Sequence, residues 1–335
     1  MKPACAVIRI SRASRLSDFG FAKSSRRLNN RVNVNVFTMK RKPKSRMPDL
    51  HFLDRAPRQV RRPDAPYAVL PIPYERTVSF GHGTALAPDA ILRASVQMEL
   101  FDEELRCPFD LDVHTLPAVD CRSQDDAATL RMIERAALEV LRPRRFLMSF
   151  GGEHTITAPL VRAARQVYGE VDVLQVDAHL DLRDHYRGTA LSHACVMRRV
   201  LEQGARIVHV GIRSACEEDY QLVRERDLPV FWARDIALSG TGEWIEKVVG
   251  HLGPRVYVTI DIDGLDAALV PGTGTPEPGG LGWYPLLTLL RRVCGERQVV
   301  AADVVETVPL PGTPANEYIA ARLAAKLMLY HRLRF

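Results

Sequence analysis

From about Ala65 to the C-terminus, short apolar runs alternate with longer stretches in which apolar residues recur at helical spacing. The runs at 67–70, 113–119, 145–150, 171–177, 207–211, 230–232, 256–261 and 299–305 predict strands. Several are apolar on consecutive residues, as strands covered on both faces must be. Between them, 88–100, 125–141, 155–168, 193–203, 242–252, 284–294 and 316–333 predict helices. Strand–helix alternation of this kind implies an α/β fold: three layers, α/β/α, around a mostly parallel sheet of about eight strands. No Pro/Gly/Ser-rich linker divides residues 48–335, so 47–335 reads as a single domain.

Ligands of open parallel sheets sit beyond the carboxyl ends of the strands, and the chemistry-bearing residues of this chain cluster there. Gly151-Gly152-Glu153-His154 follows one strand, Asp177-Ala178-His179-Leu180-Asp181 leaves a second, Asp261-Ile262-Asp263 a third, and Glu306 ends a fourth. A continued strand pleat would point Asp177, His179 and Asp181 the same way. Each piece alone has an ordinary structural reading, because a single Asp at a strand end is usually a turn or cap residue. Together, four carboxylates and two imidazoles on one sheet edge would repel one another without a cation. That predicts metal, and more than one ion, of a hard or borderline type such as Mn2+, since no Cys lies in these motifs. Two ions about 3.5 to 4 Å apart would share bridging carboxylates and activate a water near neutral pH.

Charge refines the picture. The chain of 335 residues has a net charge of +6, but residues 1–46 carry 13 Lys/Arg against one acid, Asp18, while the remainder carries 33 against 39. The basic excess therefore lies in a leader without apolar periodicity, not on the folded part, so neither a nucleic-acid nor a membrane partner is expected. The leader is compatible with a transit peptide, with a start codon called before Met39 or Met47, or with a basic arm. Its longest apolar run, Ala4 to Ile8, is shorter than the roughly 7 to 15 residues of a signal-peptide core. No stretch approaches the roughly 18 apolar residues of a membrane span. The six cysteines are scattered, with no C-x-x-C pair, which argues against a disulfide framework or zinc ribbon and for a reducing compartment. The expected location is cytoplasmic, or mitochondrial if the leader is a transit peptide.

These motifs, with Tyr74-Glu75-Arg76-Thr77, Gly81-His82-Gly83-Thr84, Ser192-His193-Ala194-Cys195, the loop from Pro271 to Leu281 and Asp303-Val304-Val305-Glu306, resemble the ureohydrolases of the arginase and agmatinase type over most of residues 65–335. The resemblance implies an arginase-like α/β/α fold and a binuclear centre of two Mn2+ per subunit. There, a metal-bridging hydroxide hydrolyses a guanidino group to urea and an amine. It also implies that His154, Asp177, Asp181 and Asp261 hold one ion and that Asp177, His179, Asp261 and Asp263 hold the other. By the same resemblance Glu306 clamps the guanidinium, His193 shuttles the proton to the leaving amine, and the protein forms a homo-oligomer. Many relatives have Asp where this chain has Glu153, and Pro where it has Ala267; neither position is expected to be a ligand. The alternative for His193 is a helix cap, with Ser192 the better candidate for that task.

Specificity then lies at the far end of the substrate. The segments 182–188 and 192–199 resemble agmatinase-like members more than true arginases, so agmatine hydrolysis to putrescine and urea, a step of polyamine biosynthesis, is the expected activity. Aminopropylagmatine, guanidinobutyrate, arginine and formimino compounds are the alternatives. Arg183 and Arg187 count against a cationic tail unless Asp184 or solvent screens them. A single-zinc deacylase on this architecture would need fewer bridging acids than the second D-x-D supplies. A non-catalytic basic interaction protein on the same scaffold would be expected to have lost ligands, yet all six are present.

Overall fold

A computed structural model of the chain describes residues 50–53, 62–240 and 242–334. The leader expected over 1–46 lies outside the described residues, which all belong to one compact unit, Met47–Phe335. In chain order the strands are β1 (Tyr67–Ile72), β2 (Phe101–Asp102), β3 (Cys107–Pro108), β4 (Val113–Thr115), β5 (Phe146–Gly151), β6 (Asp172–Val176), β7 (Ile207–Ile212), β8 (Val230–Trp232), β9 (Arg255–Asp261) and β10 (Gln298–Val305). The helices are α1 (Ala87–Ser95), α2 (Asp126–Leu138), α3 (Thr157–Tyr168), α4 (Val196–Glu202), α5 (Glu217–Arg226), α6 (Ala233–Leu238), α7 (Glu243–His251), α8 (Trp283–Glu296) and α9 (Ala315–Arg332).

Eight strands form one all-parallel sheet in the order β4-β1-β5-β10-β9-β6-β7-β8, and β2 pairs with β3 in a separate antiparallel hairpin. All eight expected strands are present in the large sheet. β4 is shorter than its apolar run suggests because Pro117 interrupts it, although Leu116 and Val119 still donate backbone bonds to β1. Two helices escape the sequence pattern. α5 buries only Asp219, Leu222 and Val223, too little for a clear apolar stripe, and α6 spans only six residues.

Each face of the sheet carries its own core. On one, Phe146, Met148, Phe150, Val258 and Ile260 pack under α1, α7, α8 and α9; on the other, Leu147, Ala301, Tyr257, Val173 and Ile207 pack under α2, α3 and α4. Burial of each large apolar side chain stabilises the fold by roughly 1.5 to 3 kcal/mol. The second face is not apolar to its end. One pleat above the Leu147–Ala301–Tyr257–Val173–Ile207 row, the residues in register are Ser149, Asp303, Thr259, Gln175 and His209. All five are fully buried. This polar row crosses five strands directly beneath the carboxyl edge.

Candidate active site

The four central strands deliver the expected ligands. His154 opens a short 3-10 turn after β5, Asp177 follows β6, Asp261 ends β9 and Asp263 lies in the 3-10 turn after it. Continued pleat is not what unites Asp177, His179 and Asp181, since β6 ends at Val176. The chain curls instead: Gln175 Nε2 donates to the His179 carbonyl (3.2 Å), and Asp181 adopts a left-handed backbone, φ 53°. The backbone amides of Met197 and Arg198 donate to the Asp181 carbonyl, tying this turn to the start of α4.

His154 Nδ1 lies 3.2 Å from Asp177 Oδ2, 3.1 Å from Asp181 Oδ2 and 3.4 Å from Asp261 Oδ2. His179 Nδ1 lies 3.1 Å from Asp263 Oδ2 and 3.5 Å from Asp177 Oδ1. Asp177 thus turns one oxygen to each cluster, and both clusters have the donor spacing of a metal site. The buried Nδ1 of His154 has no hydrogen-bond partner, whereas its Nε2 faces Thr259 Oγ1 at 2.9 Å. Thr259 gives its own proton to Asp303 Oδ1 (2.6 Å), so its oxygen accepts from His154 Nε2–H and leaves the Nδ1 lone pair aimed at the three carboxylates. An imidazole in that tautomer, ringed by carboxylate oxygens, fits a cation.

The electrostatics agree with the donor set. Burial, then the charge of Asp177, pushes Asp181 up to about 7, and burial with Asp263 and Asp177 raises Asp261 well above the carboxylate range. Burial works against a charged His179, yet Asp177 and Asp263 hold it up to about 12. Carboxylates this close and this dry cannot all ionise without a positive partner.

Glu306 stands just past β10 with a left-handed backbone, φ 58°; its Oε1 accepts the His154 backbone N–H at 2.7 Å. Glu153 is buried beside it but turned away from the ligands. Its carboxylate accepts from the backbone N–H groups of Arg76 and Thr77 and from the hydroxyls of Thr77 and Thr155, which anchors the loop after β1. That loop holds His193. Because the Thr77 hydroxyl donates to Glu153, its oxygen accepts from His193 Nδ1 (3.1 Å), and Nε2 faces Ser79 Oγ (2.9 Å). Burial, followed by the charges of His154 and His179, lowers His193 to about 4. The His193 ring faces Thr77 and Ser79, and neither this turn nor α4 carries a side-chain cap bond, from Ser192 or from its own N-cap residue.

These groups open into a cleft of about 330 Å³ lined by His179, Asp181, Asp261, His193 and Glu306 and also by Arg183, Asp219 and Glu277. Arg187 is diverted, donating to the carbonyls of Val78 and Ser79, and Arg183 lies 5.3 Å over the Tyr186 ring. Asp184 pairs with Arg199 (2.7 Å). Asp219 is buried, and its Oδ1 has no hydrogen-bond partner. The loop carrying Glu277 is pinned by Arg213, which donates to the carbonyls of Gly211, Asp263, Leu265, Glu277 and Pro278. Sequence patterns at the strand ends do not point to Thr259, Gln175, His209, Arg213 or Asp219. For Gln175 and His209 a signal exists: each is a strongly polar residue flanked by apolar ones inside a strand.

The fold and this carboxylate–imidazole edge define a hydrolase of the metal-dependent α/β/α class. Residues 65–331 match the arginase family. The chain is 41% identical to the N(1)-aminopropylagmatine ureohydrolase of Synechocystis sp., covering 80% of this chain and 89% of that protein. With the agmatinase of Pyrococcus horikoshii it shares 32% identity over 72% of this chain and 84% of the relative. The agmatine ureohydrolase structure of Thermoplasma volcanium superposes with a TM-score of 0.71 at 30% identity, covering 81% of this chain and 93% of that one. The chain belongs to the arginase family. It is a ureohydrolase, acting on the amidine C–N bond of guanidino substrates. Among the described residues no helix is long and apolar enough to cross a membrane.

Proposed function

We propose that the substrate is a guanidino-terminated polyamine, N(1)-aminopropylagmatine first and agmatine second, hydrolysed to urea and the free amine. The observation that carries this reading is Asp219, a buried carboxylate on the wall of the same cleft as the ligand cluster. Such a group is costly to leave unmatched, and a substrate ammonium matches it. Glu277, which lines the same cleft, adds a second acid for a longer cationic tail. Agmatine, favoured from the motifs, stays as the shorter alternative because a relative of that name is 32% identical, against 41% for the aminopropylagmatine enzyme.

In this reading two Mn2+ ions, when bound, supply a water that is deprotonated near neutral pH. His154, Asp177, Asp181 and Asp261 would hold one, and Asp177, His179, Asp261 and Asp263 the other. Glu306 receives the planar guanidinium through charge-assisted hydrogen bonds and holds its carbon in place. His193, neutral at working pH, has Nδ1–H tied to Thr77, so Nε2 is the atom that takes a proton and passes it to the leaving amine. A homo-oligomer in the cytoplasm, with 47–335 as its one catalytic domain, completes the proposal. The test is urea release by the Mn2+-loaded protein from aminopropylagmatine, agmatine, arginine and guanidinobutyrate. The expected order of kcat/KM is as written for the first two, with the other two far below. Preference for a carboxylate-bearing substrate would overturn the tail assignment, and no urea from any of them would overturn the function.

A further inference from the structure

We propose that Gln175 and His209 form a positioning relay that sets the orientation of Asp177 between the two ligand clusters. The two residues face each other in register on β6 and β7, inside the buried polar row. Gln175 Nε2 donates to Asp177 Oδ2 at 2.7 Å and to the His179 carbonyl at 3.2 Å. Both partners are acceptors, so the amide nitrogen must face them and Oε1 must face the other way. There it meets His209 Nδ1, which therefore carries the proton and donates it. His209 Nε2 has no hydrogen-bond partner and no solvent.

The far end of the relay is where the geometry matters. Asp177 Oδ1 accepts the His179 backbone N–H at 2.6 Å, and Oδ2 accepts from Gln175, so each oxygen has one donor. Each keeps a second lone pair, and these face different imidazoles, His154 and His179. A carboxylate held at both oxygens cannot turn about its Cβ–Cγ bond; the one donor that comes from a side chain is Gln175. Burying an amide and an imidazole in a sheet whose next row is apolar but for the Tyr257 hydroxyl gains nothing for packing, and their desolvation opposes folding. What the pair supplies is direction. Residues behind metal ligands act in this way, and their loss weakens metal binding by roughly 10- to 100-fold.

The inference rests on the reading that Asp177 bridges two ions, and the experiment separates the two. Mn2+ is titrated into the metal-free full-length protein and free Mn2+ is followed by electron paramagnetic resonance, for wild type, Gln175→Met, His209→Leu and His209→Asn. Urea unfolding of each metal-free protein is measured in parallel. Two ions on the wild type support the bridging reading; fewer than two overturn it and the relay with it. Given two, the relay predicts affinity about 10- to 100-fold weaker in Gln175→Met. His209→Leu should show a smaller loss, and His209→Asn, whose amide nitrogen stands on Cγ as Nδ1 does and can still donate to Gln175, should bind within a few-fold of wild type. Wild-type affinity in Gln175→Met overturns the proposal. So does equal weakening in His209→Leu and His209→Asn, or weakening that only follows lost stability of the metal-free protein.

Discussion

His154 Nε2 lies 2.9 Å from Thr259 Oγ1, and that contact decides which nitrogen of the imidazole faces the carboxylates. Thr259 is held in turn by Asp303, which also accepts from Thr157 Oγ1 at 2.8 Å and Tyr257 OH at 2.7 Å. Thr259→Val keeps the shape and removes the hydroxyl. The freed imidazole can then protonate Nδ1 and lose its ligand lone pair. Mn2+ affinity is expected to fall roughly 10- to 100-fold, and stability by about 1 to 3 kcal/mol for the stranded buried partners. Thr259→Ser, which keeps the hydroxyl, should bind Mn2+ nearly as wild type in the same titration.

Thr259 also illustrates what the sequence conveys and what it withholds. The eight strands announce themselves as Val/Ile-rich runs, and the acids and histidines at their ends stand out because parallel sheets place ligands there. Thr259 sits two residues before Asp261 and is unremarkable until the register sets it beside Asp303 and Gln175, residues 44 and 84 positions away. The same holds for His193 and Thr77, 116 residues apart, and for Arg213, four of whose five carbonyl partners lie 50 to 65 residues downstream. The Asp177 to Asp181 turn misleads in another way: its alternation looks like pleat, but the backbone leaves the strand at Val176 and a left-handed Asp181 completes the cluster. Local periodicity reports the element, whereas cross-strand register and backbone chirality build the site.

Glu306→Gln keeps an oxygen to accept the His154 N–H and removes the charge offered to the substrate guanidinium. A hydrogen bond to a charged group is worth about 1.5 to 3 kcal/mol, so kcat/KM for any guanidino substrate should fall about 10- to 100-fold at unchanged thermal stability. Steady-state kinetics with a melting curve on the same sample checks both halves.

Asp219→Asn separates the two ends of the substrate. With Oδ1 unpartnered in the wild type, the amide leaves the surrounding protein bonds largely intact. The KM for aminopropylagmatine should rise about tenfold or more, as expected for a lost charge-assisted contact, while kcat stays within a few-fold. An equal effect on a short neutral guanidine, such as an alkylguanidine, would show that Asp219 acts on the cluster and not on the tail.

Mild acid should remove the stability contributed by two buried neutral histidines. Burial lowers His209 and, together with Arg334, His331 to about 4 each, from an ordinary 6.5. A depressed folded-state pKa means the unfolded chain binds more protons below 6.5, so the stability from these neutral rings is complete above that pH. It is lost progressively as pH falls toward 4. The slope is about 1.4 kcal/mol per pH unit for each fully buried group, somewhat less for the partly exposed His331. Urea unfolding at pH 7, 6 and 5 should trace this loss, and His331→Gln should flatten it. Asp181, held up to about 7, titrates over the same range with the opposite sign, so the difference between the two proteins is decisive: equal pH slopes for wild type and His331→Gln would contradict the burial of His331 as a neutral ring.

Gly152 joins the site to the sheet more tightly than any ligand does. Its N–H donates to the Ile72 carbonyl at 3.0 Å, its carbonyl accepts the Glu306 N–H at 2.8 Å, and a Cβ here would stand 2.0 Å from the Tyr74 carbonyl oxygen. That oxygen is backbone, itself bonded to the Glu153 N–H, so it cannot swing aside as a side-chain tip would. Gly152→Ala must therefore part the end of β1 from the end of β5 and carry His154 and Glu306 with it. The expected result is a loss of more than about 3 kcal/mol, the range of severe backbone or packing defects, together with loss of tight Mn2+ binding. Gly250→Ala, in α7 with open space around its Cβ and no left-handed backbone, is the matched control. There alanine should stabilise by up to about 1 kcal/mol through helix propensity. Opposite signs for the same substitution, read from paired urea melts, would show that the cost at Gly152 is the close approach of two strands and not the added methyl as such.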